Sequence, residues 1–280
     1  MKARIFFSLG LLLLVVLVFA VLLLNPKEVD DTGISSVSSV DAQATRRIEI
    51  TRGQQASLVL EKKAAGWMIV SPILARANPD RVESMLGIVK ATSHTRIAAD
   101  RDRLGTFGLD PAQVVLRLDQ HEFVFGNTDP IDERRYLYFD GIVHLVDDGL
   151  FHQLRQKPEF FVSTRLVPGE ETISAMRTEN LLLEKKGNRW SMQPLQAGLD
   201  SAGLAAIVDN WKQARARRIL PYTAGRQAQS IQLTLASGRV IRYELVLEEP
   251  VFVLGRADLG LQYQFEAGVA SLLLPSADPG

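Results

Sequence analysis

The chain has 280 residues, 32 basic against 32 acidic side chains, and no cysteine. Balanced charge excludes a generic binder of phosphate backbones, which needs an excess of Lys and Arg. Absence of cysteine excludes disulfides, thiolate metal sites, thiol nucleophiles and a lipid-modified N-terminal cysteine. A hydrophobic content of 46% suffices for a packed core, and the length suits one large domain or two small ones.

In chain order, the first feature is an uncharged apolar run from Ile5 to Leu24, preceded by Lys2 and Arg4 and followed by Glu28, Asp30 and Asp31. Twenty helical residues match the hydrocarbon thickness of a bilayer. The run is longer than a signal-peptide core and ends without a small-residue cleavage pattern. Residues 1–27 therefore read as a cytoplasmic stub and transmembrane anchor, and the positive-inside rule places the rest on the periplasmic side of a bacterial inner membrane. Residues 28–46, rich in Ser and Asp and without a period, read as a flexible linker.

Beyond the linker the chain repeats itself. LVLEKKAAGW (58–67) returns as LLLEKKGNRW (181–190). Pro194, Asp200, Leu204 and Ile219 follow Trp190 as Pro72, Asn78, Val82 and Ile97 follow Trp67, displaced by one residue. This register marks an internal duplication over residues 47–165 and 166–280, joined near 164–172.

Each copy opens on a hairpin, 57–63 with 66–71 and 180–186 with 189–194, whose residues alternate apolar and polar. A helix follows. Asn78 and Pro79 start the first, with Val82, Met85, Leu86 and Val89 on one face. Asp200 or Ser201 caps the second, with Leu204, Ile207, Val208 and Trp211. Four strands come next in each copy: 114–119, 122–126, 135–140 and 142–147, then 230–236, 239–248, 251–255 and 261–266. The expected fold is α+β: an N-terminal transmembrane helix followed by two duplicated ββ-α-ββββ modules with largely antiparallel sheets.

Few residues point to chemistry. The four histidines, His94, His121, His144 and His152, lack helical metal spacing and read as surface or half-buried groups. Asp129, Asp132 and Glu133 in NTDPIDE gather acidic oxygens, but a calcium-loop pattern is absent. Neither a GxSxG elbow nor a phosphate-binding Walker loop occurs. No catalytic residue, metal or cofactor is expected, and a hydrolase is disfavoured. Lys62, Lys63, Lys185 and Lys186 read as solvated hairpin charges rather than an anion grip. Lys212, Arg215, Arg217 and Arg218 close the second helix, where cations suit the helix dipole. Their alternative role is contact with anionic lipid or an acidic partner.

The order Trp67-x-Ile69-x-x-Pro72, helix, LGTFGLDP (104–111), FVFG (123–126) and YLYF (136–139) resembles a bacterial family whose domain is of unknown function. Its members are often encoded beside the ATPase and permease genes of gliding-motility-type ABC transporters. The resemblance covers roughly residues 48–275, and Gly108, Leu109, Asp110 and Pro111 are its most distinctive match. The second copy has no GLDP at 221–230. The resemblance implies a non-catalytic, envelope-facing accessory subunit with permease and ATPase partners. From the residues alone, GLDP is a turn launching a strand and a candidate partner contact. The alternative function is an envelope protein holding a solute or glycan between the two copies.

Overall fold

The structure is a computed structural model that describes residues 35–99, 101–195, 199–225 and 229–274. The expected transmembrane segment and the first part of the expected linker lie outside the described residues. Among the described residues, no helix is long and apolar enough to cross a membrane.

Strand β1 (Ser35–Ser36) lies in the expected linker; the first repeat contains β2 (Arg47–Thr51), β3 (Leu58–Lys63), β4 (Gly66–Ser71) and β5 (Ala75–Arg76). Helix α1 (Pro79–Leu86) precedes β6 (Thr92–Ser93) and β7 (Thr95–Ala98). Then come β8 (Val114–Leu118), β9 (His121–Thr128), β10 (Arg135–Phe139), β11 (Ile142–Val146) and helix α2 (Gly149–Leu154). The second repeat has β12 (Ile173–Arg177), β13 (Leu182–Lys186), β14 (Arg189–Gln193), helix α3 (Ser201–Gln213) and β15 (Arg218–Pro221). It ends with β16 (Gln229–Leu235), β17 (Val240–Leu247), β18 (Val253–Arg256), β19 (Leu261–Gln264) and helix α4 (Val269–Leu273).

Two large antiparallel sheets dominate. The first has nine strands in the order β5-β4-β3-β2-β8-β9-β10-β11-β7; the second has eight, β14-β13-β12-β16-β17-β18-β19-β15. β1 and β6 form a separate ladder. Strand for strand, apart from β5, the second sheet follows the order of the first. In both, a hairpin lies beside a leading strand, a helix crosses to the far edge, and four strands fill the middle.

The expected α+β class is thus corrected. The described chain is mostly antiparallel β-sheet with few, short helices, and its modules are not ββ-α-ββββ. Each gains a leading strand, β2 or β12, which pairs between the hairpin and the later strands. Each also gains an edge strand after its helix, β7 or β15. These four strands carry too few alternating apolar residues to declare themselves; their place is set by partners distant in sequence.

The sheets form because their buried residues register across strands. Ile48 and Ile50 of β2 face Leu118 and Leu116 of β8, and all four are buried. Asp140 and Gly141 link β10 and β11 at positive φ, as a two-residue primed turn requires. Helix α1 is capped by Asn78, whose side chain accepts from the Asp80 and Arg81 amides. Asp200 caps α3, accepting from the Gly203 amide at 2.9 Å. Helix α3 buries Leu204, Ile207, Val208 and Trp211. The Trp211 indole N–H donates to the Leu273 carbonyl at 2.7 Å.

One hydrophobic core runs through both sheets, from Ile48 and Phe125 to Leu183, Trp211 and Tyr243. The connector between the repeats is part of it, with Val162, Leu166 and Val167 buried. Its Ser163 amide donates to Arg76 in the first repeat, and its Thr164 carbonyl accepts from Ala216 in the second. The Tyr243 hydroxyl donates to the Leu166 carbonyl at 2.6 Å. At the other end of the chain, the Val37 and Ser38 amides donate to the Ala91 and Val89 carbonyls, holding residues placed by the sequence in the linker against the first repeat.

Candidate functional site

Two places gather functional candidates: a pair of loops on the outer face of the first sheet, and a cleft between the two sheets.

The first begins with a 3₁₀ turn at Arg101–Phe107 that leads into GLDP. Gly108 adopts φ +66°, and a Cβ there would collide with the Asn127 side chain. Leu109 is 4% exposed and packs with Ala99 and Val143 in a small second core, against Phe107, Tyr136 and Tyr138. Gly126 of β9 lies directly beneath, where a Cβ would strike the Phe107 carbonyl. Asp110 and Pro111, joined by a cis peptide bond, are exposed. GLDP is thus half scaffold and half surface.

The acidic loop at 127–133 adjoins it. Gln113 Nε2 donates to Asn127 Oδ1 at 2.6 Å, and the Tyr136 ring lies 4.9 Å from Phe107. Asp129 organises the loop. Its carboxylate accepts from the Ile131 and Asp132 amides at 3.0 and 2.8 Å and from the Tyr136 hydroxyl at 2.6 Å. The Tyr136 hydrogen bond, with the turn amides, holds the Asp129 carboxyl below its usual range. Burial, then the Asp129 contact, pushes Tyr136 up to about 12. Asp132 leans on Arg134 at 3.4 Å. These oxygens serve the turn, and no group of three acids or histidines among the described residues is placed to hold a metal. At the tip Ile131 is 86% exposed. The sequence weighed GLDP and the acidic loop separately; the sheet makes them one surface.

The cleft between the repeats measures about 760 Å³. Trp67, Leu74 and Ala75 line it from the first repeat, and Val240, Ile241 and Tyr263 from the second. Arg76, Arg165, Arg239 and Arg256 also face it, with Glu170 and Asp258 as the lining acids. Arg256 grips Asp258 with two contacts of 2.9 Å. Burial opposes its charge, but the hydrogen bonds and charge of Asp258 offset this and hold the guanidinium charged. Arg256 in turn draws the Asp258 carboxyl down. Arg239 pairs with Glu171 at 2.5 Å. The sequence offered a cleft between the copies only within the alternative reading and left its arginines unnamed; they come from strand ends and the connector, which share no sequence pattern.

The four basic residues at the end of α3 do not form a single patch. Arg215 turns back to donate to the carbonyls of Lys212, Gln213 and Ala214, closing the helix. Arg217 pairs with Glu266 at 3.1 Å. Lys212 lines a separate open groove of about 750 Å³ beside Trp190 and Asp209. Arg218 is exposed on edge strand β15. The hairpin lysines are solvated, and Lys63 and Lys186 pair with Glu61 and Glu184.

His144 is not half-buried but 1% exposed. Its Nδ1 shares a 2.9 Å hydrogen bond with the buried Ser93 hydroxyl, while its Nε2 lies buried without a partner among the described residues. Burial, then the charge of Arg96, pushes its pKa down to about 4. The sequence also missed Arg135, buried across Asp148 at 2.6 and 3.0 Å and 3.7 Å from the centre of the Phe151 ring.

The fold defines a duplicated antiparallel β protein with a shared core. Residues 67–230, more than half of the chain, match the family described as Domain of unknown function (DUF4340), and the chain belongs to that family. The match runs from Trp67 through GLDP, α3 and β15. No curated protein matches the chain.

Proposed function

We propose that the chain is a non-catalytic, membrane-anchored interaction module on the periplasmic side of a bacterial inner membrane, serving as an accessory subunit of an ABC-type transport system. The apolar run Ile5–Leu24, with Lys2 and Arg4 before it, supports attachment to the membrane. The observation that carries the reading is the fixed surface built from GLDP and the acidic loop. Asp110 and Pro111 are held outward by a buried Leu109 and a glycine that tolerates no side chain. A rigid, exposed polar rim of this kind suits protein recognition with little ordering cost. The transporter setting rests on the family resemblance of the sequence.

The test is affinity purification of the full-length protein from native membranes in mild detergent, read by mass spectrometry. Recovery of a permease and an ATPase is expected, with a several-fold loss in an Asp110→Lys variant. Bait alone, after cross-linking as well, overturns the reading.

A second reading is an envelope protein that binds a solute or glycan. The observation favouring it is the cleft of about 760 Å³, lined by both repeats and including Trp67. Titration of the purified protein with envelope glycan fragments, followed by tryptophan fluorescence, is expected to give a saturable change that Trp67→Phe abolishes.

A further inference from the structure

We propose that copies of this chain associate head to tail, the Ile131 hairpin tip of one copy seated in the arginine-lined cleft of the next. The inference goes beyond the accessory-subunit reading and does not depend on it.

The tip is built to project. Asp129 locks the turn through three hydrogen bonds, so Ile131 is presented on a fixed backbone rather than a wandering loop. Ile131 is 86% exposed and belongs to neither apolar cluster of its own chain, so its side chain is free to enter a pocket on a partner. Around it stand exposed Pro130, Asp132 and Glu133, with Asp110 on the adjoining GLDP turn. Arg134 pairs with Asp132 at 3.4 Å, which leaves Glu133 and Asp110 as the carboxylates without a cationic partner among the described residues, and the collar is net acidic. It disfavours an anionic lipid surface and calls for a cationic rim on the receiver.

The cleft has the opposite design. Its apolar parts include Leu74, 65% exposed, and Val240, 38% exposed, both open to an incoming side chain. Among the four arginines facing it, Arg239 and Arg256 already have carboxylate partners. Arg76 and Arg165 have none among the described residues. Arg76 instead donates to the Ala65 carbonyl. Arg165 is bridged backbone to backbone with Arg215, so like charges sit side by side. After burial, that neighbour is what lowers the Arg215 pKa. Two unmatched guanidiniums beside exposed apolar groups are complemented by an acidic collar around one isoleucine. Glu170 also lines the cleft.

Tip and cleft are different surfaces of one chain, so the contact is heterologous and propagates until it closes or is capped. An assembly that stays open keeps one free tip and one free cleft at its ends.

The chain contains no cysteine, which makes the test direct. Full-length Ile131→Cys and Val240→Cys proteins, carrying tags of different size, are mixed in detergent and oxidised with copper-phenanthroline. The expected result is a mixed disulfide dimer, scarce when either variant is oxidised alone, and a ladder from the double variant. Adding Arg165→Glu to the Val240→Cys protein lowers the mixed product several-fold, as does about 1 M salt, where charges are screened within ~3 Å. Ala206→Cys, on the exposed side of α3, replaces Val240→Cys as the control. The proposal is overturned if the mixed product is no more abundant than this control, or if Ile131→Cys alone dimerises as well as the mixture.

Discussion

At the residue scale, His144 is the most informative side chain. Its folded pKa of about 4 lies below the ordinary 6.5, so the native state prefers the neutral ring. The associated stability is complete above pH 6.5 and is lost as the pH falls toward 4, by up to about 3 kcal/mol. Urea unfolding at pH 7.5 and 4.5 is expected to show this loss, and His144→Gln to lessen the pH dependence at some cost in neutral stability. A second expectation concerns Gly108. At φ +66° and against Asn127, Gly108→Ala is expected to destabilise by more than about 1 kcal/mol in thermal melts. Arg135→Ala removes the guanidinium partner of a partly exposed Asp148, which keeps only His152 at 3.0 Å, and is expected to cost about 1–3 kcal/mol. None of these three environments follows from sequence spacing. His144 sits in a strand whose neighbours are four apolar residues, which hinted at burial, but Ser93 reaches it only through the pairing of β11 with β7.

At the element scale, what was legible was local. The hairpins β3–β4 and β13–β14 announce themselves through alternation and short turns, and both helices through a cap followed by an apolar stripe. Helix α1 has only eight residues, too short to persist without its cap and packing. Asn78→Ala is therefore expected to cost about 1 kcal/mol, measured by equilibrium unfolding. Strands β2 and β12 were illegible for the opposite reason. RIEIT and ISAMR are brief and amphipathic, and they become central strands only because hairpins and later strands close on both sides of them. The GLDP turn was legible as a turn from its Gly and Pro. Its union with the acidic loop was not, because that depends on Gly126 lying under Phe107.

At the scale of the whole molecule, the duplication gives two sheets but not two independent bodies. The connector lends hydrogen bonds to both repeats, and Tyr243 reaches from the second sheet to Leu166. Tyr243→Phe leaves that buried carbonyl without its donor and is expected to cost about 1–3 kcal/mol. Unfolding followed by Trp fluorescence and by far-UV circular dichroism is expected to give coincident transitions, since separating the repeats would open the common core.

The N-terminal seam adds a mechanical consequence. Tension arriving along the segment before Ser35 meets the β1–β6 ladder and the amide bonds of Val37 and Ser38 first. Those bonds end on Val89 and Ala91, at the crossing from α1 toward the far edge of the first sheet, and not on the sheet's centre. A pull from that end would thus be met by this short ladder before it reaches the β2–β8 strands at the heart of the molecule.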